Sequence, residues 1–305
     1  NEMLAKTTSR REQEANPKCV VLQMADIWRG PQRVACCLLE QDLPFTEEHR
    51  DILALIAQAM QKAFEARKDV TTILLPYDAA LLHIVVLGGG GCGKTLLLTK
   101  LLFPLFEVYF GRRGVLKGAP SNKAARLLGG KTIHVLKGLR ASSSLRTAQL
   151  RFKADEERRK MEATHVEAGV ECYDECGQIQ AALLHAAYLR STYARAARYR
   201  LRISDYALPS EIAGRISVLM MLGDPLQLPP IPISSSLFAD PTGANDEHKA
   251  GCAIFNNIEH CYVMQKMLRF NDAVLVSILQ KMREKGGVSL TLSLIHISEP
   301  TRRIT

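Results

Sequence analysis

Leu87-Gly-Gly-Gly-Gly-Cys-Gly-Lys94-Thr95 fits the phosphate-cradling pattern G-x-x-x-x-G-K-[ST] in the setting the pattern requires. Residues 81–87 (LLHIVVL) are apolar and β-branched, as a buried parallel strand should be, and residues 95–102 (TLLLTKLL) resume as a strong helix former. Strand, glycine loop and helix follow in order. Glycines let backbone N–H groups wrap phosphates without Cβ clashes, at the positive end of a helix. Gly88, Gly89, Gly90, Gly91, Cys92, Gly93, Lys94 and Thr95 are therefore the candidate nucleotide-binding residues. Lys94 would reach the β- and γ-phosphates, and the Thr95 hydroxyl would ligate Mg²⁺.

The 305-residue chain has room for one large or two ordinary domains, and 47% hydrophobic with 23% charged residues is a globular balance. A formal charge of +9 favours a polyanionic partner, although a generally basic surface is common and supports nucleic acid only weakly. The eight cysteines form no C-x-x-C pair, and reduced thiols in an intracellular compartment are the expectation. No apolar run is long enough to span a bilayer. Residues 1–44 show no sustained periodicity, a phosphate-loop domain is expected over 45–287, and 288–305 read as a non-native tail. Within that tail LSLIHISEPTR resembles the translation of a sequencing-library adapter.

Thr46-Glu-Glu-His49 caps an apolar-periodic helix running from Ile52 to Phe64. Residues 123–128 read as helical, stopped by Gly129-Gly130, and residues 146–167 carry alternating charge expected of a solvated helix or insertion loop. Between 178 and 202 tyrosines and leucines interleave with Arg190, Arg195, Arg198, Arg200 and Arg202. That face could hold a single strand, but an amphipathic helix burying its tyrosines is the stronger expectation. Residues 216–222 (ISVLMML) form a second apolar strand, and strands alternating with helices indicate an α/β fold with a central parallel sheet flanked by helices. Asp174-Glu175 supplies what a phosphate loop needs: Asp174 to hold Mg²⁺ through water and Glu175 to polarise the attacking water. The strand before it is interrupted by Glu171.

Gly223-Asp-Pro-Leu-Gln227-Leu-Pro-Pro230 resembles motif III of the superfamily 1B helicases, and the chain looks like the first RecA-like motor domain of the Pif-type DNA helicases. The resemblance continues in Ala119-Pro120-Ser121-Asn122-Lys-Ala-Ala125, in Gly130-Lys-Thr132-Ile-His134, and in Met267-Leu-Arg269-Phe-Asn-Asp272 with a helix expected from Val274 to Met282. It implies a RecA-like P-loop NTPase fold, ATP and Mg²⁺ as ligands, and 5′ to 3′ travel on single-stranded DNA in repair, recombination or telomere maintenance. By the same resemblance Lys94, Glu175, Gln227 and Arg269 are the catalytic set. Gln227 would sense the γ-phosphate and Arg269 would face the transferring phosphoryl group, while Pro120, Ser121, Asn122, Thr132 and His134 would touch the strand.

Two stretches depart from the family pattern. His49 stands where the family carries an adenine-reading glutamine, and Cys176-Gly177-Gln178 follows Glu175 in place of an apolar-Ser-Met run. A second RecA-like domain, with its own arginine, would be supplied by the intact protein. Two other classes stay open: a P-loop switch that binds nucleotide to control a partner, and a non-catalytic nucleic-acid-binding module, either of them carried by a mobile element. His248, Cys252, His260 and Cys261 invite a zinc reading, but their spacing matches no common structural site.

Overall fold

The computed structural model describes residues 22–67, 69–76, 79, 82–139, 155–199, 215–270, 272 and 274–277, with only the backbone for 197–199. The expectations for the 288–305 tail, for Arg200 and Arg202, for the side chain of Arg198 and for most of the 274–282 helix lie outside these residues. Among the described residues six strands form one parallel sheet: β1 Leu82–Gly88, β2 Val115–Ala119, β3 Lys131–Thr132, β4 Val170–Tyr173, β5 Val218–Gly223 and β6 His260–Met264. Their order is β3-β2-β4-β5-β1-β6. The C-terminal ends of β1, β5 and β4 are thus neighbours, the edge at which open α/β sheets bind ligands.

Period-two alternation sends the central strands' side chains to both faces. Ile84 and Val86 of β1, with Val218, Met220 and Leu222 of β5, join the layer containing Leu97, Leu101 and Phe106. Val85, Leu219 and Met221 join the opposite layer, with Leu184, Tyr188 and Cys252. Both faces are covered, which is why the strands read as continuous apolar runs.

Helix Glu47–Ala66 begins as its sequence indicates. Thr46 is the N-cap, and His49, at the third helical position, completes a capping box. Although 1–44 offered no periodicity, helices Met24–Arg29 and Pro31–Leu39 lie there, and Ile27, Val34, Ala35 and Leu38 enter the core. Met24–Arg29 is too short to show a repeat, but Pro31, Val34, Ala35 and Leu38 do lie at helical spacing on one buried face.

Helix Ala181–Tyr199 is apolar and buried nearly all round over its described side chains. Arg195 is wholly buried, donating to the carbonyls of His165, Ala168 and Arg215, and Arg190 is buried against Glu157. These two arginines are structural, and Tyr188 and Tyr193 are buried as expected, but over these side chains the helix has no solvent face and so is not amphipathic: the arginine side that reads as polar in sequence is packed as well. Gly251, in helix Asp246–Asn256, packs against the start of this helix so closely that a Cβ would collide with the Ala181 carbonyl oxygen. Gly251→Ala is expected to destabilise by about 1–3 kcal/mol through overpacking, read from a denaturant midpoint.

Burial holds His49, His83, His134 and His165 below their ordinary value of 6.5, and His165 falls to about 3. Each lowered histidine takes up its proton more readily in the unfolded chain. The stability they contribute is therefore complete above 6.5 and drains as pH falls through their lowered folded values, that of His165 lying at about 3. A melting temperature that declines between about pH 7 and about pH 5, before carboxylates titrate, is the expected result.

Candidate functional site

The loop between β1 and helix Lys94–Leu96 reverses through Gly91 (φ +93°) and Gly93 (φ +88°), a left-handed geometry that glycine adopts without strain. At Gly93 a Cβ would sit 2.8 Å from both His49 Nε2 and Leu268 Cδ1, so any other residue would spoil the cradle. Lys94 is buried, and its Nζ donates to the Gly88 and Gly89 carbonyls at 2.8 and 3.0 Å, engaging two of its three donors. Thr95 is exposed at the following position. Cys92 is buried with its Sγ 3.7 Å from Met267 Sδ. Helix Lys94–Leu96 passes into a π-helical turn, Leu97–Leu102, an irregularity common beside functional sites.

His49 has both ring nitrogens occupied. Nδ1 accepts from the Thr46 N–H at 2.9 Å, so Nε2 carries the proton and donates to the Gly93 carbonyl at 3.2 Å. Wholly buried, it is a strut between the helix cap and the phosphate loop, and neither nitrogen is left to read a nucleobase.

Asp174 and Glu175 leave the end of β4 at this same edge. Burial raises the Asp174 carboxyl, opposed by the Glu175 N–H that donates to its Oδ1 at 2.9 Å and by the Lys94 charge. Burial likewise raises Glu175, reinforced by repulsion from Asp174 and Asp224 and opposed by Lys94. A carboxylate with a raised proton affinity is the better general base. Glu175 also has left-handed backbone (φ 55°, ψ 44°), which costs a non-glycine residue on the order of 1–3 kcal/mol, the kind of local strain that clusters at functional sites.

The turns after β4 and β5 interlock. A Cβ on Gly177 would lie 2.6 Å from the Asp224 carbonyl oxygen, and one on Gly223 would lie 2.6 Å from Cys176 Sγ. The departure at Cys176-Gly177 is therefore fitted to close packing against the Gly223–Asp224 turn. Beyond that turn, Gln227 Nε2 comes within 3.8 Å of where a Gly90 Cβ would lie. Arg269 reaches the loop from the other side: the Leu268 and Arg269 N–H groups donate to the Gly91 carbonyl at 2.9 and 3.2 Å, leaving the Arg269 side chain exposed. Lys94, Asp174, Glu175, Gln227 and the Arg269 backbone thus gather around one loop. Asp224, buried and close enough to raise Glu175, is a further acid in this cluster that the sequence reading left unassigned.

The residues proposed to touch a strand lie on the β2–β3 side of the sheet, where Ala119 is in register with Thr132. Ser121 caps helix Asn122–Leu127 by accepting from Ala124 N–H, and Thr132 caps helix Ile133–Leu136 by accepting from Val135 N–H. Pro120, Ser121, Thr132 and His134 are half-buried and Asn122 is exposed. Among the described residues no group of three or more His, Cys, Asp or Glu side chains is placed to hold a metal ion, and His248, Cys252, His260 and Cys261 are not gathered into one. No described helix is long and apolar enough to cross a membrane.

No protein-family model and no curated protein matches the chain. Solved structures do. Unliganded Pif1 from Bacteroides sp. matches at TM-score 0.52 and 20% identity over 84% of this chain and 49% of that one. Pif1 helicase from Candida albicans matches at TM-score 0.52 and 18% identity over 85% and 48%. Bacteroides Pif1 bound to ssDNA matches at TM-score 0.52 and 18% identity over 84% and 49%. This chain spans about half the length of those structures. At such identity the likeness is one of fold: a RecA-like domain of the kind found in Pif1 helicases.

Proposed function

We propose that the chain is the nucleotide-binding half of an ATP-dependent motor that moves along single-stranded DNA, with 5′ to 3′ travel and roles in repair, recombination or telomere maintenance as the family resemblance suggests. The observation that supports it best is the convergence of Glu175, Gln227 and the Arg269 backbone, from three separate segments, on the phosphate loop that holds Lys94. The glycine cradle, the exposed Thr95 and the buried Asp174 suit Mg²⁺-ATP. Bound there, Mg²⁺ would neutralise phosphate charge and help position the γ-phosphoryl group. Lys94 would exchange loop carbonyls for phosphate oxygens, Glu175 would take the proton of the attacking water, and Gln227 would report the state of the site to the strand-binding edge. The Arg269 guanidinium would approach developing charge from the rim. A Pif1 structure in complex with ADP-AlF3 and ssDNA, matched at TM-score 0.50 and 20% identity over 79% of this chain and 47% of that one, is consistent with that pair of ligands.

Equilibrium binding tests the reading, because a motor requires Mg²⁺-ATP and a single-stranded oligonucleotide to change each other's affinity reciprocally. Nucleotide binding indifferent to DNA would instead identify a switch, and DNA binding untouched by Lys94→Ala in a chain without nucleotide affinity would identify a binding module.

A further inference from the structure

Glu171 interrupts an apolar strand, and its partner is Lys137. The Lys137 ammonium lies 2.8 Å from Glu171 Oε1 with both side chains buried, 0% and 1% exposed. It also donates to Ser191 Oγ at 2.5 Å, Ser191 donates on to Glu171 Oε1 at 2.6 Å, and the Tyr173 hydroxyl donates to Glu171 Oε2 at 2.7 Å. His165 and Arg195 are the other charged or titratable groups facing this pair. Replacing such a pair by apolar residues of similar volume is often neutral or stabilising, so packing alone gives no reason for it.

Its position supplies one. Lys137 ends helix Ile133–Leu136, a single turn that Thr132 caps and that carries His134. The Lys137 N–H donates to the Ile133 carbonyl and the Leu139 N–H to that of His134, while Ile133 and Leu136 are buried, so the turn is tied together as one hydrogen-bonded unit. Glu171 lies three residues before Asp174, and Tyr173, which holds its second oxygen, directly precedes Asp174. The Tyr173 ring also packs against Gly118 of β2, beside the Leu136 side chain.

We infer that Lys137 and Glu171 are positioning residues that link the strand-facing edge at Thr132 and His134 to Asp174 and Glu175. A shift of the one-turn helix pulls directly on β4 through the ion pair, altering where the two acids sit relative to the phosphate loop. This rests on the proposed motor function, since it gives that coupling a physical route.

The test measures the affinity of Mg²⁺-ATP with and without an oligo-dT single strand. In the wild-type chain the mutual effect should be at least about fivefold. The double variant Lys137→Met, Glu171→Leu should bind each ligand alone normally, while the mutual effect falls below about twofold. Tyr173→Phe, which removes only the hydroxyl on Glu171 Oε2, is milder and should cut the effect by about half, keeping the test decisive should the double variant fail to fold. A wild-type mutual effect in either folded variant overturns the link and leaves the motor reading standing. No mutual effect in the wild-type chain overturns the motor reading and the link with it.

Discussion

Glu175→Gln is expected to reduce ATP hydrolysis by about 10²- to 10⁴-fold while leaving Mg²⁺-ATP affinity within a few-fold of wild type. The amide keeps the shape of the carboxylate but cannot take a proton from water. Burial and repulsion from Asp174 and Asp224 raise the proton affinity of Glu175, a property that serves proton transfer and contributes nothing to holding phosphate. Comparing phosphate release with nucleotide titration separates the roles. A variant that loses binding and turnover in proportion would place Glu175 in the binding shell.

Lys137→Met is expected to cost about 3–5 kcal/mol of folding stability, because it strands a carboxylate in the core. Burial pushes the Glu171 carboxyl up, but the Lys137 ammonium and the hydrogen bonds from Lys137 and Ser191 together outweigh that and hold it at about 2. Without the ammonium, burial dominates and Glu171 must take a proton to fold. The penalty should therefore shrink as pH is lowered toward the raised value, whereas the wild-type pair contributes stability that is complete above 4.5 and lost as pH falls toward about 2. That acid window belongs to the Glu171 carboxyl alone, since the Lys137 ammonium, lowered by burial, titrates on the alkaline side. Adding Glu171→Leu should recover most of the loss. Chemical denaturation of wild type, single and double variant checks both statements, and equal stability of the single variant and wild type would show that the pair carries no such penalty.

The fold was legible because its signals are local and redundant. The LLHIVVL strand, the glycine loop and the ISVLMML strand mark a buried parallel sheet, and Thr46 with His49 marks a helix start. The short helix at 24–29 was not, since its six residues give no repeat, whereas 31–39 did carry one turn-to-turn apolar spacing, Pro31, Val34, Ala35 and Leu38, within a stretch of mixed charge and cysteine. The arginines at 190 and 195 are a different case: burial of the tyrosines on their helix is readable from the spacing, but in sequence the arginines look like its solvent face, and only long-range packing shows Arg195 buried against backbone carbonyls. His49 was placed by sequence beside the nucleotide, but its bond to Gly93 depends on contact across forty-four positions. Glu171 did carry a readable signal, an unexplained charge inside an apolar strand. Its partner, thirty-four residues earlier, could be found only from the fold.

Phosphate release from Mg²⁺-ATP, measured with and without single-stranded DNA and with Lys94→Ala as the control, tests the central claim most directly. The account predicts release that is slow alone, rises when the strand is added, and disappears in Lys94→Ala. Release that ignores DNA, or that survives loss of the Lys94 ammonium, would contradict it.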